Sequence, residues 1–113
     1  MRVKQDDRHF DVCQEGLLRH LFTTVNDALG EAIEMGALQC NEEEREGVLE
    51  TIVFGVAAAI DGSAVMAFEN HEIHPYLAFK DTRTSDELIV HRAGSYLHEM
   101  VMGYLDDIGI EDL

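Results

Sequence analysis

The sequence contains one proline, no tryptophan and only eight lysines and arginines in 113 residues. A single proline excludes Pro-rich and collagen-like segments. No stretch approaches the roughly 18 consecutive apolar residues that a membrane span requires. The basic residues at the start of the chain are not followed by the apolar run of a secretory signal. We therefore expect a cytoplasmic protein that does not bind or cross a membrane.

The composition is that of a folded protein, since hydrophobic residues make up 46% of the chain and charged residues 27%. The length fits one domain, residues 1–113. The start of the chain is polar and carries charges of both signs. We expect residues 1–8 to be disordered or loosely ordered.

Acidic side chains dominate the charge. The formal net charge is −15, and residues 9–113 carry five basic and 21 acidic side chains, a net of −16. Such a surface repels nucleic acids, whereas it attracts a basic partner and speeds encounter with it. Acidic surfaces also serve solubility alone, so two interpretations of the charge stay open.

Common catalytic motifs are missing from the sequence, including HExxH, GxSxG, GxGxxG and the Walker loop. Cys13 and Cys40 lie 27 residues apart, without a CxxC or zinc-finger spacing. We expect two free thiols, because a disulfide would need two neighbouring helix ends to bring them together. The sequence favours a protein that is not an enzyme.

Two amphipathic helices are predicted near the ends of the chain. Apolar residues recur at intervals of three and four over about residues 9–35 and again over 86–108. Thr84 or Ser85 is a suitable N-cap for the second of these segments.

A third, central helix is predicted over residues 42–60. Asn41 followed by Glu44 is typical of a capping box. The second half of this segment is apolar nearly all round, which indicates burial on more than one side. We expect Phe54 to be almost fully buried there.

Two short runs rich in Val, Ile, Phe and Tyr, residues 64–69 and 73–80, predict an antiparallel β-hairpin. Pro75 cannot donate to a strand ladder, so the second strand is expected to be an edge strand or to carry a bulge. The chain as a whole predicts an α+β fold, in which three helices pack with this small hairpin.

Six histidines raise the question of a metal site. Glu87, His91 and His98 share one face of the predicted last helix. However, His91 and His98 are two turns apart, about 10 Å, which is too far to share one ion. His71 and His74 would point to opposite faces of a strand. We expect no metal and no other cofactor.

The acidic residues group at the predicted connection between the first two helices. If the two helix ends are adjacent, one patch contains Glu31, Glu34, Glu42, Glu43 and Glu46. A rigid helical scaffold with clustered carboxylates suits a protein that holds a basic protein partner. The glutamates that open the second helix also have a local role, because the positive end of the helix dipole favours them.

Two segments resemble parts of small acidic bacterial immunity proteins. They are VFGVAAAIDGS at Val53–Ser63 and DELIVHRAGSYLHEMVMGYLDD at Asp86–Asp107. Together with the short hairpin between them, they cover about half of the chain. The resemblance implies a protein without catalysis of its own that neutralises a toxin, often a basic nuclease. The segment between them departs from the pattern, because it has less Pro and Gly than those proteins.

The leading hypothesis is therefore an acidic, non-enzymatic binding protein of the immunity type. One alternative is a small ligand- or metal-binding domain that uses the His91/His98 face together with Tyr76. Another is a subunit of an oligomer, such as a homodimer.

Overall fold

The computed structural model describes residues 1–64, 66–83 and 86–113. The elements in chain order are β1 (Arg2–Gln5), α1 (Asp7–Glu34), α2 (Glu42–Ile60), β2 (Met66–Phe68), β3 (His71–Ile73), β4 (Phe79–Lys80), β5 (Glu87–Val90), α3 (Leu97–Val101) and α4 (Tyr104–Ile108). A 3-10 turn at Ile110–Asp112 follows. The α+β class is confirmed, whereas the predicted arrangement of three helices and one hairpin is wrong.

The helix α1 begins two residues before the predicted start because Asp6 caps it. The Oδ1 atom of Asp6 accepts a hydrogen bond from the backbone N–H of His9, at 3.1 Å. One face of the helix is buried at Phe10, Gln14, Leu18, Phe22 and Leu29. These are the positions expected of an amphipathic helix.

The bounds of α2 agree with the prediction, and so does its capping box. The Glu44 backbone N–H donates to Asn41 Oδ1 at 2.8 Å, and the Asn41 backbone N–H donates to Glu44 Oε1 at 3.0 Å. The predicted burial of Phe54 is wrong, because this side chain is 40% exposed. The buried residues of α2 are Leu49, Val53 and Ala57, which lie on one face of the helix.

The predicted hairpin is shorter than expected. Strands β2 and β3 pair in antiparallel fashion, with Met66 opposite Ile73. Position 65 of the expected first strand lies outside the described residues. The predicted second strand, residues 73–80, is not one strand in the structure. The β2–β3 ladder ends before Pro75, and Phe79–Lys80 form β4 in the larger sheet.

The predicted helix over 86–108 is wrong. Its first part is the strand β5, and its remainder is divided between α3 and α4. Gly94 and Gly103 lie inside the predicted helix with φ of +76° and +85°, which end helical geometry. The expected caps, Thr84 and Ser85, lie outside the described residues.

The larger sheet has the strand order β1-β5-β4. β1 runs parallel to β5, with Arg2 opposite Glu87, and β4 runs antiparallel to it. The Arg2 N–H donates to the Asp86 carbonyl at 2.8 Å, and the Asp6 N–H donates to the Val90 carbonyl at 3.1 Å. Residues 1–8 were expected to be disordered or loosely ordered; in the structure residues 2–5 form β1 and Asp7 begins α1.

The core lies where α3 and α4 pack on the α1–α2 pair. Its buried members are Leu18, Phe22, Leu29, Leu49, Val53, Ala57, Leu97, Val101 and Leu105. Near the start of α1, the rings of Phe10 and Phe79 meet edge-on with centroids 5.1 Å apart, which joins that helix to the larger sheet. In the part of the chain that the structure describes, no helix is both long enough and apolar enough to cross a membrane.

Candidate functional site

The five predicted partner-binding glutamates lie at the adjoining ends of α1 and α2. Glu31 and Glu34 are in the last turn of α1, while Glu42, Glu43 and Glu46 are in the first turns of α2. All five are exposed. Within the described residues none of them forms an ion pair. We call these five residues the acidic patch.

A groove at this end of the molecule contains two members of the acidic patch. Its lining residues are Asn26, Glu42, Arg45, Glu46, Ile110 and Glu111. Glu31, Glu34 and Glu43 lie outside the lining. Sequence reasoning did not place Glu111 here, because nothing near it in the sequence shows that the C-terminal turn comes to lie beside α2.

Arg45 is the basic residue of this groove, and α1 holds its guanidinium. The Nε atom donates to Asn26 Oδ1 and an Nη atom donates to the Asn26 carbonyl, each at 3.0 Å. Gly30 leaves space for this group, since a Cβ at that position would be 3.2 Å from the same Nη atom. The groove therefore combines exposed carboxylates with one cation in a fixed position.

Glu87, His91 and His98 do not share a helix face, so that prediction is wrong. Glu87 is in β5, His91 follows that strand, and His98 is in α3. Among the described residues no group of three or more His, Cys, Asp or Glu side chains is arranged to hold a metal ion. The alternative based on a His91/His98 face loses its geometric basis.

His91 is packed between the start of α1 and the segment that precedes α3. The Ala93 N–H donates to His91 Nδ1 at 2.9 Å, so the proton of the neutral ring is on Nε2, 3.8 Å from Asp11 Oδ1. The ring meets those of Phe10 and Tyr96 edge-on, with centroids 5.6 Å apart in both cases. These contacts give the histidine a structural role.

Tyr96 and Gln14 take part in the hydrogen bonds that join the start of α1 to the segment before α3. The Tyr96 hydroxyl donates to Asp11 Oδ1. This hydrogen bond, with burial and the charge of Asp11, raises the pKa of Tyr96 to about 12. Gln14 is fully buried. Its Oε1 atom accepts hydrogen bonds from Ser95 Oγ at 2.8 Å and from the Tyr96 N–H at 3.0 Å.

The remaining candidates for ligand binding are also dispersed. Tyr76 donates through its hydroxyl to the His91 carbonyl at 3.3 Å. His71 begins β3, whereas His74 follows that strand and lies 3.7 Å from a carboxylate oxygen of Glu72. Both histidines are exposed. No shared ligand geometry results.

Cys13 and Cys40 are free, half-buried thiols, as predicted. Burial, together with the negative charge of Asp81, raises the pKa of the Cys13 thiol. A raised pKa lowers the fraction of thiolate at neutral pH, so Cys13 is a poor nucleophile.

Comparisons of the chain with protein-family models, with curated proteins and with solved structures give no match. Function is therefore inferred from this chain's own residues.

Proposed function

We propose that the protein is a non-enzymatic binding protein that uses the acidic patch to hold a basic protein partner, as an immunity-type inhibitor holds a toxin. The observation that carries the proposal is the position of five exposed glutamates at one end of the helix pair, without ion pairs among the described residues. Their charges are available to a partner.

Electrostatic steering is the main contribution expected from this patch. A single exposed ion pair contributes only about 0–1 kcal/mol. Several carboxylates on one surface, in a chain with a net charge of −15, raise the rate of encounter with a basic protein and orient it. The effect falls as salt screens the charges.

The groove beside the patch supplies specificity. A Lys or Arg side chain of the partner can lay its aliphatic part on Ile110 while its charged end meets Glu42, Glu46 or Glu111. Arg45 occupies a fixed position among these carboxylates. Its positive charge repels a cation of the partner from the position beside Asn26, which limits where in the groove that cation binds.

The test compares two variants with equal charge changes. The first neutralises the patch with Glu34→Gln, Glu42→Gln, Glu43→Gln and Glu46→Gln. The control neutralises four exposed acids outside the patch and its groove, with Glu15→Gln, Glu69→Gln, Asp86→Asn and Glu99→Gln. If the gene next to this one encodes a basic protein, association with that protein is measured in stopped-flow experiments at low and high salt.

The patch variant should associate roughly tenfold more slowly at low salt, whereas the control should change much less. The difference should shrink as salt rises. Equal slowing of both variants would show that net charge acts without a specific patch. Unchanged association of the patch variant would contradict the proposal. A third variant, His71→Ala with His74→Ala, should bind as the wild type does.

A further inference from the structure

The groove beside the acidic patch brings together charges of both signs that do not neutralise each other. Its positive charge is the guanidinium of Arg45. Its negative charge lies on three carboxylates, those of Glu42, Glu46 and Glu111. Within the described residues none of these four side chains forms an ion pair, although the chain has 23 acidic residues. The groove therefore holds opposite charges in one place without letting them meet.

The guanidinium of Arg45 is fixed in position, but most of its donors are free. A guanidinium has five N–H groups. Asn26 accepts one from the Nε atom and one from an Nη atom, and the others have no acceptor among the described residues. The edge between the two Nη atoms can therefore bind a carboxylate through two parallel hydrogen bonds. Little flexibility is lost on binding, because Asn26 already holds the group in place.

The third wall of the groove, the C-terminal turn at Ile110–Asp112, is also held in place. Arg19 of α1 donates a hydrogen bond to the Asp112 carbonyl, and Ile110 packs against the core. The groove has a volume of about 340 Å³, at the lower end of the roughly 300–1,000 Å³ of small-molecule sites. Its walls and its size therefore suit a small ligand without rearrangement of the chain.

The charges of the lining determine which small ligand fits. A simple anion would pair with Arg45 but would be repelled by the three carboxylates, and a simple cation would leave Arg45 unpaired. A molecule with one carboxylate and at least one cation satisfies both signs. The lining has a net charge of −2, so a second cation on the ligand improves the match. Ile110 offers apolar surface for an aliphatic chain between the charged groups.

We infer that this groove binds a free basic amino acid of the lysine type. The α-carboxylate of the ligand pairs with Arg45, its two ammonium groups meet the three glutamates, and its aliphatic chain lies on Ile110. The inference shares the groove with the proposed function but does not rest on it, because binding of an amino acid is measured without any protein partner. Either can therefore fail alone.

The test titrates the isotope-labelled full chain with L-lysine and, separately, with cadaverine, which is lysine without its carboxylate. Binding is followed by NMR through the backbone signals of Asn26 and Glu111 and the side-chain signal of Arg45, at about 0.1 M salt. Cadaverine carries the larger positive charge, so general attraction to a chain with a net charge of −15 favours cadaverine. A site built around Arg45 favours lysine. The two explanations thus predict opposite orders of affinity.

We expect lysine to shift the groove signals and cadaverine to bind about tenfold more weakly, because cadaverine lacks the charge-assisted hydrogen bonds to Arg45. Cadaverine binding as tightly as lysine would overturn the inference. So would an absence of shifts at about 10 mM lysine, which is tenfold above a Kd of about 1 mM. Nα-acetyllysine resembles the C-terminal lysine of a protein and should bind more weakly than lysine, since it lacks the α-ammonium group. Equal binding would overturn the assignment to a free amino acid.

Two variants and a control assign the ligand to the groove. Arg45→Gln removes the guanidinium, and Glu111→Gln removes one carboxylate from the exposed C-terminal turn. The control is Arg8→Gln, at an exposed arginine about 27 Å along α1 from Asn26. Circular dichroism verifies the fold of Arg45→Gln, which loses the contact with Asn26, and Glu111→Gln leaves that contact intact.

Arg45→Gln should bind lysine about tenfold more weakly than Arg8→Gln does and should lose the preference for lysine over cadaverine. Glu111→Gln should weaken the binding of both ligands, because it removes a carboxylate that faces their cations. Equal affinity of Arg45→Gln and Arg8→Gln for lysine would overturn the role of Arg45. Unchanged affinity of Glu111→Gln for both ligands would overturn the assignment to this groove.

Discussion

Asp61 joins the end of α2 to α3 by accepting two hydrogen bonds from His98 on one carboxylate oxygen. The His98 backbone N–H lies 2.9 Å from Asp61 Oδ2, and its ring Nδ1 donates to the same atom. The Ser63 N–H donates to Oδ1 at 3.0 Å. Burial alone would raise the pKa of this carboxyl, but the hydrogen bonds from His98 and Ser63 outweigh it and hold the pKa below its ordinary value.

Asp61→Asn should destabilise the protein by about 1–3 kcal/mol at neutral pH, because a neutral amide accepts fewer of these hydrogen bonds in a buried position. Urea denaturation measures the change. Asp27→Asn provides the control, since it removes the same charge from an exposed part of α1. Equal effects of the two substitutions would show that the contact with His98 contributes nothing specific.

Lowering the pH should reduce the difference in the free energy of unfolding between the wild type and Asp61→Asn. A carboxyl with a lowered pKa in the folded state stabilises the protein above its unfolded pKa, about 3.9, and this stabilisation is lost as the pH falls below that value. Denaturation of both proteins from about pH 6 down to about pH 2 should therefore show the two free energies of unfolding converging below about pH 4. A constant difference over this range would contradict the lowered pKa.

Tyr96 should ionise only at high pH. The pKa of about 12 is measured by ultraviolet titration of a Tyr76→Phe, Tyr104→Phe variant, in which Tyr96 is the remaining tyrosine. Asp11→Asn in the same background should lower this pKa toward the ordinary value of about 10. Because the pKa is raised in the folded state, its contribution to stability is complete below about pH 10 and is lost as the pH rises toward 12.

Phe22→Ala should cost about 3–5 kcal/mol, since the ring is fully buried and stacks on Tyr104 with centroids 5.1 Å apart. Phe54→Ala should cost much less in dilute solution, because 40% of that residue is exposed. Chemical denaturation at low protein concentration compares the two. A larger loss from Phe54→Ala would place the core on the other side of α2.

Asn41→Ala should lower stability by about 0.5–2 kcal/mol through loss of the cap of α2. Asn41→Asp should retain most of the stability, since a carboxylate accepts the same hydrogen bond from the Glu44 N–H. Gln39→Ala, an exposed position in the preceding loop, controls for changes to the loop itself. Thermal denaturation monitored by circular dichroism distinguishes the three variants.

The ends of α1 and α2 could be predicted because their signals are local. The capping box of Asn41 and Glu44 and the apolar spacing of α1 involve residues within one or two turns of each other. The region after residue 85 could not be predicted in the same way. Leu97 and Val101 belong to the predicted apolar stripe and are buried, whereas Ala93 of the same stripe is exposed. Leu105 is buried as well but was not part of the predicted stripe. Periodicity therefore identified buried residues there but not the element that carries them.

The candidate site shows the same limit. The five glutamates of the acidic patch were predictable from composition and from two helix ends that follow each other in the chain. Glu111 and Asn26 complete the groove from segments distant in sequence, and no local pattern marks them. The predicted burial of Phe54 failed for a similar reason. The hydrophobicity of a helix does not reveal how many of its sides are covered by the rest of the chain.

The pairing of β1 with β5 has a kinetic consequence. Residues 2–5 pair with residues 87–90, which come much later in the sequence, so the larger sheet cannot form until the segment between them has been made. Closing so long a loop early in folding is slow. The helices α1 and α2, whose contacts are local, can pair before this happens. We therefore expect helical signals to precede sheet signals in refolding, with the N-terminal strand among the last segments to gain protection from hydrogen exchange.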